Sequence, residues 1–268
     1  MRLFLAQAVV GFSLLALPAA AQVVPPAVPA DTTHKFENPR GFATAPKKSF
    51  FRSKGFRASI VPVALIAYGA STINGHGLYS SYDVRNDIQH VFGPGRHTRV
   101  DDLLQFAPYL ELGGVLLAGV ESRDDRVNLG LVILKSEAIM LSTVFVTKYL
   151  TNIERPDQSN NQSFPSGHTA QAFLAASIVH TELRDKSQWY GVGAYAIATS
   201  VGVLRMVNDK HWESDVIAGA GFGILSAHLA YLSHRNRWGR KPIGRDVGVV
   251  PSWSPAGGTG FALTWRPR

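Results

Sequence analysis

The 268-residue chain contains no cysteine. Disulfide bonds and thiolate chemistry are therefore excluded, which is compatible with an exported bacterial protein. There is no His-Glu-x-x-His run and no Asp-rich metal loop, so no metal site and no cofactor is expected. Acidic side chains are few, 19 against 27 Lys and Arg, for a formal net charge of +8. That balance favours anionic partners such as phosphate esters or anionic lipids. No regular basic-aromatic alternation of the kind that builds a single-strand platform is present, so no nucleic-acid partner is expected. Long uncharged runs are also scarce. Only Val216 to Ser233 approaches the roughly 20 residues that span a bilayer, and the mean hydropathy is +0.03. Strand-like alternation is nearly absent before residue 247.

What is present reads as helix. Residues 1–21 have the form of a secretory signal, with Arg2, an apolar stretch from Leu3 to Leu17 and Ala19-Ala20-Ala21 before Gln22. Residues 22–57 form a linker, first Pro-rich, then basic, with Lys47, Lys48, Arg52, Lys54 and Arg57 set among phenylalanines. Helices are expected over 58–73, 82–91, 100–120, 128–150, 167–183, 190–204 and from His211 or Trp212 to 233. Asp101 and Asp102 stand near the start of the third, where negative charge suits the helix dipole. The fold class is all-α, a bundle of about six helices over 58–235. Residues 236–268 are a Gly/Pro-rich tail in which 247–253 and 261–265 flank Pro255-Ala256-Gly257-Gly258 as a possible short hairpin.

The residues with chemical potential lie between Lys148 and Asp215. Lys148 and Arg155 are seven apart, close to two helical turns, and share a face while the helix lasts. Pro156 ends it nearby. Ser166 and Gly167 follow Pro165 at a helix opening, where backbone N–H groups and the dipole favour an anion. Arg205 stands at the end of an uncharged helix, where a guanidinium needs an acceptor. Two phosphate oxygens satisfy its planar fork, and an ion pair with Glu213 is the alternative. His211 and Asp215 are spaced i, i+4 on one helix face. A carboxylate on one imidazole nitrogen fixes the tautomer and leaves the other as a nucleophile. Taken singly, each of these residues is equally at home as a surface charge, a helix start or a structural pair. Taken together, three cations, two histidines and a carboxylate around a Pro-Ser-Gly turn are suited to phosphoryl transfer.

The order and spacing, Lys148-x6-Arg155-Pro156, then Pro165-Ser166-Gly167-His168, then Arg205-x5-His211-x3-Asp215, resemble the type 2 phosphatidic acid phosphatase superfamily. That superfamily also holds bacterial class A acid phosphatases and vanadium haloperoxidases. One position departs, with Leu204 where the family has Ser. The resemblance covers about residues 100–232. It implies a helical bundle with its motifs at one end and a metal-independent phosphatase acting on a phosphomonoester or lipid (pyro)phosphate. It assigns His211 as the residue that becomes phosphohistidine, Asp215 as its orienter and His168 as acid and then base. Lys148, Arg155, Ser166, Gly167 and Arg205 become the phosphate-binding set. A vanadate-dependent haloperoxidase and a non-catalytic envelope protein of the same fold are the other classes considered.

Glu111, Lys135 and Glu137 fall inside expected helices, and charge is costly in hydrocarbon. The expectation is therefore a periplasmic or envelope protein, soluble or resting on a membrane surface through its basic arm. The partner is a phosphate ester, possibly a lipid. The sequence sets no oligomeric state.

Overall fold

The computed structural model describes residues 53–75 and 80–235, together with the backbone of 247–254 and 258–265. The expected signal segment, residues 1–21, and most of the expected linker lie outside the described residues. Eight α-helices are described: α1 Lys54–Ser71, α2 Ser81–Phe92, α3 Val100–Leu104, α4 Ala107–Leu117, α5 Arg126–Thr151, α6 Gly167–Leu183, α7 Gln188–Val207 and α8 Glu213–Ser233. A single 3-10 turn, Ile73–Gly75, follows α1. The expected bundle is present, with α1 and α5 to α8 as its long members, α4 packed on α6 and α7, and the shorter α2 and α3 both touching α7. The tail carries an antiparallel pair, β1 Val247–Ser254 and β2 Gly258–Trp265, in register from Val247 opposite Trp265 to Ser254 opposite Gly258. It sits where the hairpin was expected.

Local chemistry accounts for most helix limits. Ser53 caps α1 by accepting the Phe56 N–H at 3.1 Å, so the helix begins four residues before the uncharged pattern does. The Asp125 carboxylate accepts from Val127 N–H and Asn128 N–H at 2.9 and 3.1 Å and starts α5. Asn152, at φ 48°, closes α5 in the left-handed conformation that asparagine tolerates better than most residues. The expected single helix over 100–120 is instead two. It breaks at Gln105-Phe106, and Pro108 takes the first turn of α4, where a missing N–H does no harm.

Helix α6 is the centre of the bundle and packs on α4, α5, α7 and α8. Its Ala170, Ala172, Leu174, Ala175, Ala176, Ile178 and Val179 are wholly buried. Small residues let α8 approach it closely. A Cβ at Gly223 would stand 2.2 Å from the Ala170 carbonyl oxygen, and one at Gly219 would stand 2.6 Å from that of Ser166. The second contact sets the start of α6 against the start of α8. The ends of the two helices that carry His168 and Asp215 are thereby brought together.

The outer faces of the bundle are apolar. On α5 the exposed side chains include Leu131, Leu134, Leu141, Phe145, Tyr149 and Leu150. On α7 they include Trp189, Val192 and Val203, and on α3 and α4 Leu103, Leu110 and Leu117. Of the charges inside α5, Lys135 lines an outer groove beside Leu131 and Leu134, whereas Glu137 does not share that face. Glu137 turns inward, where it accepts from the Tyr109 hydroxyl at 2.7 Å and from Gln171 Nε2 at 2.6 Å. Three helices, α5, α7 and α8, are long and apolar enough to cross a membrane. The sequence admitted only one: α5 was set aside for its interior charges, and α7 was expected to run only over 190–204, short of the 20 residues it has.

Candidate active site

The site is built where α5 ends and α6 and α8 begin. The Asp215 carboxylate is completely buried and gathers three donors on one oxygen. Oδ2 accepts from Ser163 Oγ at 2.5 Å and from the Trp212 backbone N–H at 2.9 Å, and stands 3.3 Å from His211 Nδ1. His211 is 3% exposed. With Nδ1 held by the carboxylate, Nε2 is the nitrogen left for chemistry. The Ser166 N–H donates to the Asp215 carbonyl oxygen at 2.9 Å, which locks the Pro-Ser-Gly turn to the start of α8.

The cations converge on this pair. Lys148, in the last turn of α5, donates from Nζ to the carbonyl oxygens of Gln162 and Ser163 at 2.6 and 3.2 Å. The charges of Lys148 and Arg205 both act on His211, and Arg205 also acts on Arg155 and on His168. Arg155 Nε and Arg205 Nε are buried and have no hydrogen-bond partner among the described residues. Buried donors are seldom left in that condition except where a ligand completes them.

Serine 166 is used differently from the expectation. It is fully buried, its Oγ accepts from Thr169 Oγ1 at 2.9 Å and from Thr169 N–H at 3.4 Å, and it serves as the N-cap of α6. Gly167 is the first residue of α6 and His168 the second. Their N–H groups thus fall in the first turn, where the helix itself supplies no acceptor. Leu204, the departure from the family pattern, is half-buried one residue before Arg205.

Sequence reasoning missed an acidic layer over this site. Arg205 does not pair with Glu213. Its Nη1 lies 2.5 Å from Asp101 Oδ2 and 4.0 Å from Asp102 Oδ1. Asp101 is itself held by Asn208, whose Nδ2 donates to its Oδ1 at 2.9 Å, while Asn208 Oδ1 accepts the Thr98 N–H at 2.8 Å. Asp102 Oδ1 lies 3.0 Å from His168 Nε2. Ligand atoms of Asp101, Asp102 and His168 all fall within 4.8 Å of one another, but Arg205 and Asn208 already occupy Asp101. The group is an ion-pair network between α3 and the site. The only sequence signal for it was the Asp101-Asp102 pair, which a helix dipole explained equally well.

Ties on the far side hold the connecting loops. Arg85 on α2 grips Asp209 with two bonds of 2.6 and 2.7 Å. Lys210 pairs with Asp157 at 2.5 Å, and Trp212 Nε1 donates to the Glu154 carbonyl oxygen at 2.9 Å.

Residues 131–239 match the model of the PAP2 superfamily, a stretch that contains every residue from Lys148 to Asp215 discussed above. The matched stretch is 109 of the chain's 268 residues. Over 155 residues the chain is 38% identical to a lipid A 1-phosphatase of Porphyromonas gingivalis. The match takes in 56% of this chain and 35% of that protein, so the chain spans about a third of the curated relative's length. Among solved structures it is similar to LpxE of Aquifex aeolicus, at 20% identity and a TM-score of 0.44 over 60% of this chain and 99% of that one. It is also similar to a transmembrane PAP2 type phosphatidylglycerolphosphate phosphatase of Bacillus subtilis, at 20% identity and a TM-score of 0.38 over 64% of this chain and 94% of that one.

The burial of His211 has a measurable consequence. Burial pushes its imidazole down from the usual 6.5 to about 4, with Lys148 and Arg205 adding to the effect and Asp215 opposing it. The folded protein therefore holds His211 neutral where the unfolded chain would protonate it. The associated stability is complete above pH 6.5 and is lost as the pH falls through about 4. Thermal melting of wild type and His211→Gln, compared from pH 7.5 to 4, is expected to show the wild type losing more, on the order of a few kcal/mol. Parallel curves for the two proteins would show that the imidazole is not buried neutral.

Proposed function

We propose that the chain is a membrane-embedded phosphatase that hydrolyses a phosphate ester of a lipid through a phosphohistidine on His211. The observation that carries the reading is the pair of buried, unpartnered guanidinium N–H groups, Arg155 Nε and Arg205 Nε, whose charges act on one another beside His211. A phosphoryl group presents oxygens to both and to Lys148, and the first N–H groups of α6 add dipolar stabilisation.

The reaction follows from the parts. His211 Nε2 attacks phosphorus, the bond from phosphorus to the ester oxygen breaks, and the departing alkoxide takes a proton from His168. His168 then accepts a proton from water as the water oxygen attacks phosphorus, the bond to His211 breaks and phosphate leaves. Asp215 keeps the His211 tautomer and stabilises the ring when it is positively charged. His168 suits its role in being half-exposed on the open side of the site, its side chain 30% accessible.

The lipid and the location come from the surface. The exposed faces of α1, α4 and α7 are uncharged along their middles and that of α5 carries only Lys135 there, unlike a soluble surface, about a quarter to a third of which is charged. A bundle of this kind in an envelope membrane would present its site at the bilayer surface, where a lipid phosphate lies. The lipid A 1-phosphatase relative has a substrate of this class.

The test is a substrate panel on full-length protein purified in detergent. Phosphatidic acid in mixed micelles is expected to be hydrolysed at least tenfold faster than a soluble aryl phosphate, with chelator present throughout and with inhibition by vanadate. Equal rates on the two substrates would remove the lipid specificity. Activity lost to chelator and restored by a divalent ion would remove the three-cation mechanism.

A further inference from the structure

A second site lies far from the first. Leu131, Leu134, Lys135 and Ala138 of α5 and Ser233, His234 and Arg235 at the end of α8 line a groove of about 690 Å³. Lys135 precedes Lys148 by 13 positions on the same helix, which places the groove ~20 Å down the bundle from the active site. Leu131, Leu134 and Ala138 give it an apolar side on α5, and its charged lining residues, Lys135 and Arg235, are both cations. Neither forms an ion pair or a side-chain hydrogen bond with any described residue, whereas the other charge within α5, Glu137, is fully engaged. His234 is fixed at one edge by Asn128, 2.9 Å from its Nε2. The sequence after Arg235 continues the charge with Arg237, Arg240, Lys241 and Arg245.

A lone ammonium among exposed leucines is costly in hydrocarbon unless an anion meets it. Among the described residues the groove has no carboxylate in its lining, so its cations face outward to an external anion. The occupant must also cover Leu131 and Leu134, which a small hydrated ion does not do. We propose that this groove holds an anionic phospholipid of the leaflet opposite the active site, its phosphate between Lys135 and Arg235 and an acyl chain along Leu131 and Leu134. The proposal rests on the membrane-embedded reading above and adds a lipid site separate from the substrate's.

The test uses full-length protein in a nonionic detergent, offered equal amounts of phosphatidylglycerol and phosphatidylcholine and examined by native mass spectrometry. Wild type is expected to retain phosphatidylglycerol about tenfold over phosphatidylcholine, since each cation near a lipid surface contributes roughly 1 kcal/mol. The Lys135→Gln, Arg235→Gln double variant should lose that preference while keeping phosphatase activity, and Lys135→Arg should retain it. Equal retention of the two lipids by wild type, or a preference that survives in the double variant, overturns the proposal. Carbonate extraction of membranes separates the two readings. Protein released to the supernatant overturns the embedded reading itself, and pelleted protein without a lipid preference overturns only the second site.

Discussion

His211→Ala is expected to reduce turnover by about four orders of magnitude or more, to the background set by binding alone. The expectation follows from the contacts of one carboxylate. Asp215 Oδ2 keeps two donors, Ser163 Oγ and Trp212 N–H, when the imidazole is removed. The start of α8 therefore stays tied, and the protein should fold with a cavity penalty of roughly 1–3 kcal/mol. His211→Gln, which fills more of the space, separates that penalty from the chemistry. In wild type, a brief incubation with phosphate-labelled substrate should trap an acid-labile, alkali-stable phosphoenzyme, and both variants should lack it. Asp215→Asn should lose less, about 10²–10⁴ in kcat, because the nucleophile remains but its tautomer is no longer imposed. A folded His211→Ala protein that turns over like wild type, or that still forms the phosphoenzyme, would sink the covalent mechanism.

Much of this arrangement was legible in the chain. The helix opening at Ser166-Gly167, the last turn of α5 at Lys148 and the i, i+4 relation of His211 and Asp215 are local, and local spacing reports them. What was not legible is long-range. Asp101 and Asp102 read as residues favouring a helix N-terminus, yet their carboxylates reach Arg205 and His168, 104 and 66 positions away. Nothing near Asp101 distinguishes a dipole partner from an ion-pair partner. Ser163 escaped notice because a buried hydroxyl bonded to a carboxylate looks in sequence like any loop serine. Helices α3 and α4 were fused because Pro108 falls in the first turn of a helix, where proline is as compatible with continuation in a pattern as with a new start. The charges at 111, 135 and 137 argued against a membrane only while their direction was unknown. Once Glu137 is seen bonded between Tyr109 and Gln171, the exposed apolar side chains of α5, broken by Lys135 alone within the helix's middle, are the more informative feature.

Arg205→Lys is expected to keep the fold and lower kcat/KM by about 10²–10³. Two roles compete for this guanidinium. As a structural cation it neutralises Asp101, which is 1% exposed and needs a partner. As a phosphate ligand it uses the Nε–H that Asp101 does not engage. Lysine preserves the first role, since an ammonium satisfies one carboxylate oxygen while Asn208 continues to hold the other. It abolishes the second, because a single point of donation cannot serve Asp101 and a phosphoryl oxygen with fixed geometry. Arg205→Ala is the less informative change: it strands a buried carboxylate, a loss of about 3–5 kcal/mol that confuses unfolding with lost binding. The measurement is kcat/KM on a lipid phosphate together with the melting temperature, for Arg205→Lys and for Asp101→Asn. Asp101→Asn keeps the amide oxygen for Asn208 and removes the charge that holds Arg205 back. If Arg205 is a phosphate ligand, Asp101→Asn alters KM more than kcat, by loosening the aim of the guanidinium, whereas Arg205→Lys reduces both. A stable Arg205→Lys protein within about threefold of wild type in kcat/KM would confine Arg205 to the ion pair and leave phosphate binding to Lys148 and Arg155.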